Sequence, residues 1–189
     1  MNKKIATIIK SSSHLEYIAQ VLNPKEEAGL KSLDYALGTF LLIGPKTVGI
    51  IYDTELFNPH SLSLSSQKEE LKVFAPDLQD EVDILLKVLL LGHLEDNLGN
   101  QNLPTEPLES GSSVKTMNQE QIKNFHLTPN HKLQIRYLLN LNSFGNKLNP
   151  GLFGCITKQL KTLLNPSQFQ ILELIERDLL WQNLCPNKG

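Results

Sequence analysis

The sequence predicts an α+β protein in which a small N-terminal β-barrel is followed by a C-terminal helical domain. Three observations lead to this prediction. Residues 1–98 hold short alternating or β-branched segments between turn residues, residues 99–116 are rich in Gly, Pro, Ser and Asn, and residues 117–189 carry helical periodicity. We therefore expect a barrel over 1–98, a linker over 99–116 and a Leu-rich helical domain over 117–189.

Four stretches of the first half are expected to form strands. Residues 14–22 alternate between apolar and polar side chains, which is typical of a half-buried strand. Residues 38–43 and 47–52 are rich in β-branched and aromatic residues and flank Gly44-Pro45-Lys46, so they predict a hairpin. Residues 81–91 alternate again, and we favour a long strand there over a helix.

Two helices are predicted from their start signals. Asn149-Pro150 and Asn165-Pro166 each precede an apolar periodic run. The Asn side chain accepts a hydrogen bond from an amide that the helix start leaves unpaired, and Pro lacks such an amide. We therefore expect helices over 150–164 and 166–184. Residues 132–141 fit both a strand alternation and a helical stripe, so both interpretations stay open there.

Composition and cysteine spacing exclude several classes of protein. A net charge of -2 and a mean hydropathy of -0.20 argue against a membrane-embedded chain and against a strongly cationic polyanion binder. In a helical hairpin Cys155 and Cys185 would lie on the order of 15 Å apart, which is too far for a disulfide. With no targeting signal visible in the sequence, we expect reduced thiols and a cytoplasmic protein.

Motifs for catalysis and cofactor binding are weak. Residues 44–49 begin like a phosphate-binding loop, but Ile50 and Ile51 stand where the Lys and Ser or Thr of that motif would bind phosphate and magnesium. Ser12, His14 and Glu16 could share one strand face, yet no nucleophile elbow accompanies them. The histidine spacing matches no zinc motif. We expect no cofactor and no enzymatic activity, and an enzyme with an unrecognised site is the least favoured hypothesis.

Charge is divided unevenly along the chain. Residues 1–98 carry nine basic and fourteen acidic side chains, whereas residues 99–189 carry nine and six. Residues 121–172 contain no acid and six basic side chains, which are Lys123, Lys132, Arg136, Lys147, Lys158 and Lys161. This basic segment either follows nucleic-acid phosphates or docks against the acidic half of the chain, and we favour docking. Its aromatic residues, which would stack on bases in the first case and join the core in the second, are Phe125, Tyr137, Phe144, Phe153 and Phe169.

Several stretches of the N-terminal half carry a family resemblance. They are SSHLEY at 12–17, YALGTF at 35–40, VGIIYDTELFNP at 48–59, and FAPD at 74–77 with the apolar strand after it. Together they resemble the HAS-barrel family, the N-terminal β-domain of HerA-type ATPases and ATP-synthase catalytic subunits, and most of all its stand-alone cyanobacterial members. In the larger members the barrel is a rim and docking module on a motor with Walker motifs. This chain lacks those motifs, so the resemblance implies protein interaction without motor activity.

The favoured hypothesis is thus a non-enzymatic accessory module that docks a protein partner through its barrel, on a larger assembly such as an ATPase or a nuclease. Candidates for partner contact are polar side chains in the family-like strands, namely His14, Glu16, Asp53 and Glu55. The alternative is a nucleic-acid-binding barrel whose groove the basic segment completes. No membrane partner is expected, and the sequence is compatible with a homo-oligomer.

We also expect the two halves to dock on each other. Two isolated amphipathic helices are marginally stable, and a Leu-rich stripe left in water would be an association site. The basic segment would then face acids of the barrel half, namely Glu69, Glu70, Asp80 and Asp83.

Overall fold

The fold is described by a computed structural model over residues 2–23, 30–57, 83–138, 141 and 150–184. In chain order its strands are β1 (Lys4–Ser11), β2 (Glu16–Val21), β3 (Phe40–Ile43), β4 (Thr47–Phe57), β5 (Asp83–Glu95), β6 (Leu98–Asn100) and β7 (Ser113–Thr116). A 3₁₀ turn, Ser32–Tyr35, precedes β3. The helices are α1 (Gln119–His126), α2 (Pro150–Lys161) and α3 (Pro166–Leu184).

Six of these strands form a closed antiparallel barrel, in the order β2-β1-β7-β3-β4-β5, and pairing between β2 and β5 closes the ring. Strand β6 extends the sheet beyond β5 as the second arm of a hairpin. The prediction of an α+β protein containing a small β-barrel is therefore confirmed. Full closure leaves each barrel strand paired on both sides over part of its length, which protects it from edge-to-edge association.

The predicted strands match the observed ones closely. Residues 14–22 contain β2, and the predicted hairpin is formed by β3 and β4 around Gly44, whose φ of +58° suits glycine. The long strand predicted over 81–91 is β5. It runs on to Glu95 because the turn comes later, at Asp96 and Asn97, which both have positive φ as a tight hairpin turn requires.

The barrel also contains strands that the sequence reading did not identify. Strand β1 is the N-terminal apolar run, and β7 lies within the stretch 99–116 that we predicted as a linker. Strand β7 pairs with both β1 and β3 and so fills the gap between them. The segment before it is fastened to the barrel, since the carbonyl of Pro104 accepts from His14 Nε2 at 2.7 Å and Tyr17 Oη accepts from the amide of Leu108 at 3.0 Å.

The part of the wall formed by β3, residues 47–51 of β4 and residues 88–92 of β5 is largely buried on both of its faces. Residues 47–51 of β4 are buried without interruption, although a strand with one wet face would alternate. Inner side chains fill the barrel, while Phe40 lies under the helical part and makes an edge contact with His126 at 5.0 Å between ring centroids. The helical part thus supplies the second layer over this wall, and the expected docking of the two halves is seen.

Apolar packing and amide hydrogen bonds hold the helical part on the barrel. The Gln159 amide of α2 donates to the carbonyl of Gly38 at 2.8 Å, and buried Gln101 donates to the carbonyl of Phe125 at 2.9 Å. Among the described residues, the ion pairs that the structure shows all lie within residues 1–98. Of the acids expected to face the basic segment only Asp83 is described, and Glu69, Glu70 and Asp80 lie outside the described residues.

The helix predictions agree with the structure at their start points. Helix α2 begins at Pro150 and α3 at Pro166. Asn165 caps α3 as predicted, because its side-chain oxygen accepts from the amide of Gln168 at 2.9 Å. Asn149 and Cys185 lie outside the described residues, and Cys155 is a free thiol.

The stretch 132–141, which the sequence left open between strand and helix, contains both kinds of structure. It holds an isolated bridge at Leu133 and helical residues at 137, 138 and 141. No helix among the described residues is both long and apolar enough to cross a membrane.

Candidate functional site

Three of the four predicted partner-contact residues lie together on the outside of the barrel. Glu16 is on β2, and Asp53 and Glu55 are on β4, with β5 running between the two strands. Lys87 of β5 is the register partner of Asp53 on one side and of Ile18 on the other. We call the surface formed by Glu16, Tyr52, Asp53, Glu55 and Lys87 the acidic face.

The cation at the centre of the acidic face is paired with both acids of β4. Lys87 Nζ lies 3.0 Å from Asp53 Oδ2 and 3.6 Å from Glu55 Oε2. The hydrogen bond from Lys87 lowers the pKa of Asp53, and the same bond raises the pKa of Lys87. The side chains of both acids remain 53% exposed, so each can accept a further donor from outside.

A tyrosine joins the remaining acid to this group. The register of β4 against β5 shifts between Ile51 and Asp53, and this irregularity falls at Tyr52. The Tyr52 hydroxyl donates to Glu16 Oε1 at 2.8 Å. Burial, and next the hydrogen bond to Glu16, raise the pKa of Tyr52 well above its usual value, so the hydroxyl stays a donor. The position of Glu16 is thereby fixed from β4.

The fourth candidate, His14, lies outside the acidic face and contacts the segment that precedes β7. It lies in the turn before Glu16, and its ring nitrogen Nε2 bonds the carbonyl of Pro104. A carbonyl oxygen can only accept, so Nε2 of His14 carries the proton. His14 therefore anchors the segment ahead of β7 and is not part of the acidic face.

The sequence reading missed Lys87 and Tyr52 as members of this site. Lys87 carried a usable signal, because it is the single charged residue in the otherwise apolar run from Ile84 to Leu91. A charge in such a strand is expected to point outward and to meet an opposite charge on a neighbouring strand. Tyr52 carried no comparable signal, because its place depends on the register shift in β4.

The acidic face offers binding chemistry more readily than catalytic chemistry. Its three carboxylates and one ammonium give a local excess of negative charge, and its strands fix the side chains. The described residues contain no group of three or more His, Cys, Asp or Glu placed to hold a metal ion. The arrangement suits recognition of a cationic surface through charge-assisted hydrogen bonds.

The predicted nucleic-acid residues are spread over the helical part. Lys123, Lys132, Arg136, Lys158 and Lys161 are exposed, and Lys147 lies outside the described residues. Lys132 and Lys161 both lie near the first turn of α3. Gln168 donates to the carbonyl of His131 at 2.7 Å, and the Lys161 ammonium lies 5.3 Å from the ring centroid of Phe169.

The aromatic residues of the basic segment are largely internal. Phe125, Tyr137 and Phe153 are buried, Phe169 is half-buried, and Phe144 lies outside the described residues. Buried rings cannot stack on nucleic-acid bases without unfolding of the helical layer. This arrangement agrees with the favoured interpretation, in which the aromatic residues belong to the core.

His126 is the last residue of α1 and is fully buried. Its Nδ1 bonds the carbonyl of Ile122 at 2.7 Å, and its Nε2 bonds the Tyr137 hydroxyl at 2.9 Å. Since the carbonyl can only accept, Nδ1 carries the proton and Nε2 accepts from Tyr137. The pair lies in the layer between barrel and helices, so its role is structural.

Comparison with known proteins identifies one family. A family model described as "Domain of unknown function (DUF8166)" matches residues 1–187, which is almost the whole chain. No curated protein matches the chain.

Proposed function

The chain belongs to the DUF8166 family, and we propose that it is a non-enzymatic interaction module that docks on a larger assembly through the acidic face of its barrel. The observation that carries this proposal is that three acids share one outer surface, where Asp53 and Glu55 pair with Lys87 and Glu16 is joined to them through Tyr52. These acids come from two strands that are not neighbours in the barrel, so their convergence depends on barrel closure.

The state of the side chains supports binding in preference to catalysis. The pKa of Asp53 is lowered by the hydrogen bond from Lys87, so this carboxylate stays ionised at neutral pH and is a weaker base than an unpaired aspartate, which disfavours acid–base catalysis. The Tyr52 hydroxyl is occupied by Glu16. Side chains held in this way lose little conformational entropy when a partner binds, which favours recognition of a basic surface.

The nature of the partner follows from charge and from the family resemblance. We propose a protein that presents Lys or Arg side chains to the acidic face, as part of an assembly such as an ATPase or a nuclease. We also propose that the barrel is related to the HAS-barrel family. The likeness of residues 12–17, 35–40 and 48–59 supports that relation, since these stretches lie in or next to β2, β3 and β4.

Binding of a protein partner can be tested with neutral, nearly isosteric variants. The double variant Asp53→Asn/Glu55→Gln removes two charges from the acidic face, and Glu106→Gln/Glu109→Gln removes the same charge at exposed positions elsewhere. Tagged chain is incubated with native lysate, and a retained partner is then titrated as purified protein. We expect roughly tenfold weaker binding for the first variant, as two rim charges are worth about 1.4 kcal/mol.

Two outcomes would contradict this proposal. The acidic face is not the docking surface if the first variant and the control both bind the partner as tightly as wild type. The module interpretation itself fails if wild-type chain, at native expression and low salt, retains no stable partner.

The nucleic-acid alternative has weaker support, because its stacking residues are buried. It is tested by titrating a labelled single-stranded oligonucleotide at two salt concentrations. Six phosphate contacts would give a log–log salt dependence with a slope of about -4. An absence of binding at 50 mM salt would end this alternative.

A further inference from the structure

We propose that the outward stripe of α3 is a self-association surface that pairs with the same stripe of a second copy of the chain. The stripe consists of Ile171, Leu174 and Trp181, which are 50%, 54% and 67% exposed. Large apolar side chains are seldom this exposed side by side on one helix unless they meet a partner. This surface belongs to the helical layer and is separate from the acidic face.

The stripe lies opposite the face by which α3 packs on the protein. At 3.6 residues per turn, Leu174 and Trp181 point in nearly one direction, and buried Leu172 points to the other side of the helix. Ile175 is half-buried on the packed side. Helix α3 therefore carries apolar side chains on two opposite faces, and among the described residues only the face with Leu172 is covered.

Two opposite charges flank the stripe, and they indicate what covers it. Arg177 and Asp178 lie about 50° to either side of the line through Leu174 and Trp181, as consecutive residues in a helix are about 100° apart. Both are exposed. Together with Leu174 and Trp181 they line an open depression of about 340 Å³.

The arrangement of Arg177 and Asp178 on either side of the stripe is self-complementary. In a parallel pair of α3 helices related by a two-fold axis, Arg177 of each copy lies beside Asp178 of the other at the same height. Leu174 and Trp181 then meet their own equivalents along the axis. An isologous pair makes every such contact twice, so the pairing forms two ion pairs. A carboxylate accepts several hydrogen bonds, so Asp178 can make this contact beside those within its own chain.

The pairing is expected to be weak, because one helical stripe buries less surface than a standard interface. Interfaces below about 1,200 Å² are typical of transient association, and we expect a Kd on the order of 10–100 µM. Two copies paired in this way would present two acidic faces. A dimer that binds one assembly through both acidic faces would have a higher apparent affinity than a monomer, because the second contact forms within the same complex.

The test uses the single tryptophan of the chain, Trp181, as its probe. Emission spectra and sedimentation velocity are recorded on the full chain from 5 to 500 µM. We expect the Trp181 emission to shift to the blue as concentration rises, with the same midpoint as dimer formation. Acrylamide quenching should decrease in parallel, because the indole becomes covered.

Charge variants show whether the predicted pairs form. Arg177→Asp and Asp178→Arg each replace two ion pairs by two repulsive contacts, so each should weaken self-association at least about tenfold. The exchange variant Arg177→Asp/Asp178→Arg restores the pairs and should recover most of the affinity. Lys158→Glu, an exposed change on α2, is the control and should behave as wild type.

Three results would overturn this proposal. A chain that sediments as a monomer at 500 µM, with constant red emission, has no self-association surface on α3. A monomer with blue emission at every concentration has its stripe covered by residues of its own chain. A dimer that tolerates both single charge reversals and fails to respond to the exchange variant pairs through another surface.

Discussion

Acidification is expected to destabilise the protein through one buried side chain, His126. Its Nδ1 donates to the carbonyl of Ile122 at 2.7 Å, and its Nε2 accepts from Tyr137 at 2.9 Å. Protonation would place a hydrogen on Nε2 of His126, where it would face the hydrogen of the Tyr137 hydroxyl. The charge would also stand in an apolar layer, and burial accordingly lowers the pKa of His126 from 6.5 to about 4.

The sign and size of the effect follow from this difference in pKa. The unfolded chain takes up the proton near pH 6.5, whereas the folded chain does so only near pH 4. The contribution of neutral His126 to stability is therefore complete above pH 6.5 and is lost as the pH falls from 6.5 to 4. At 1.36 kcal/mol per pH unit, the loss amounts to about 3 kcal/mol, which is a large share of the stability of a domain.

The assay is urea unfolding at pH 7.5 and pH 4 for wild type and for His126→Leu. Carboxylates titrate in both proteins, so the difference between the two losses isolates His126. We expect wild type to lose about 3 kcal/mol more than the variant. Equal losses would refute the reasoning. Should the Leu variant not fold, an NMR titration of the His126 ring in wild type decides the question, because a pKa near 6.5 would also refute it.

Three further predictions concern packing. Gly38→Ala should lower the free energy of unfolding by about 2–4 kcal/mol, because Gly38 has a φ of +82° and an added Cβ would lie 2.7 Å from a Cβ of α2. Gly111→Ala, with a φ of +87° and no atom within 4 Å of the added Cβ, should cost only about 1 kcal/mol, and equal costs would contradict the helix contact. Tyr137→Phe should cost about 1–3 kcal/mol in urea unfolding at neutral pH, since it leaves the buried Nε2 of His126 without its hydrogen-bond partner. An unchanged midpoint would contradict a stabilising His126–Tyr137 hydrogen bond. A fragment of residues 1–98 lacks β7 and should be poorly soluble or melt at a lower temperature than the full chain. A fragment of residues 1–118 contains β7 and should recover part of that stability. Identical melting of 1–98 and the full chain would show that the barrel needs neither β7 nor the helices.

The fold could be predicted in class and in several elements, because local patterns specify them. The alternation over residues 14–22 and the Gly44 turn predicted β2 and the β3–β4 hairpin. The Asn-Pro start signal at 165–166 predicted the start of α3 and its cap. These signals act between residues that are close in the chain, so the elements they specify do not depend on distant contacts.

The candidate site could be predicted only in part. The acids Glu16, Asp53 and Glu55 were predicted as polar positions in strands, but His14 was predicted together with them on the same grounds. Their distinction depends on pairing across the barrel, where Lys87 meets Asp53 and where the segment near Pro104 meets His14. Contacts separated by tens of residues leave no periodic signal in the chain.

By itself, the sequence determined the α+β class, the main strands, the helix starts and the acid-free basic segment, since composition and short-range periodicity encode each of them. Only the tertiary structure decided that β7, a four-residue strand in a Gly- and Pro-rich stretch, completes the barrel. It also placed His126 in the core and left one face of α3 exposed. The physical reason is that a short strand is stabilised by hydrogen bonds to its neighbouring strands, and that a side chain is buried by the layer packed above it. Neither property is encoded in the local sequence.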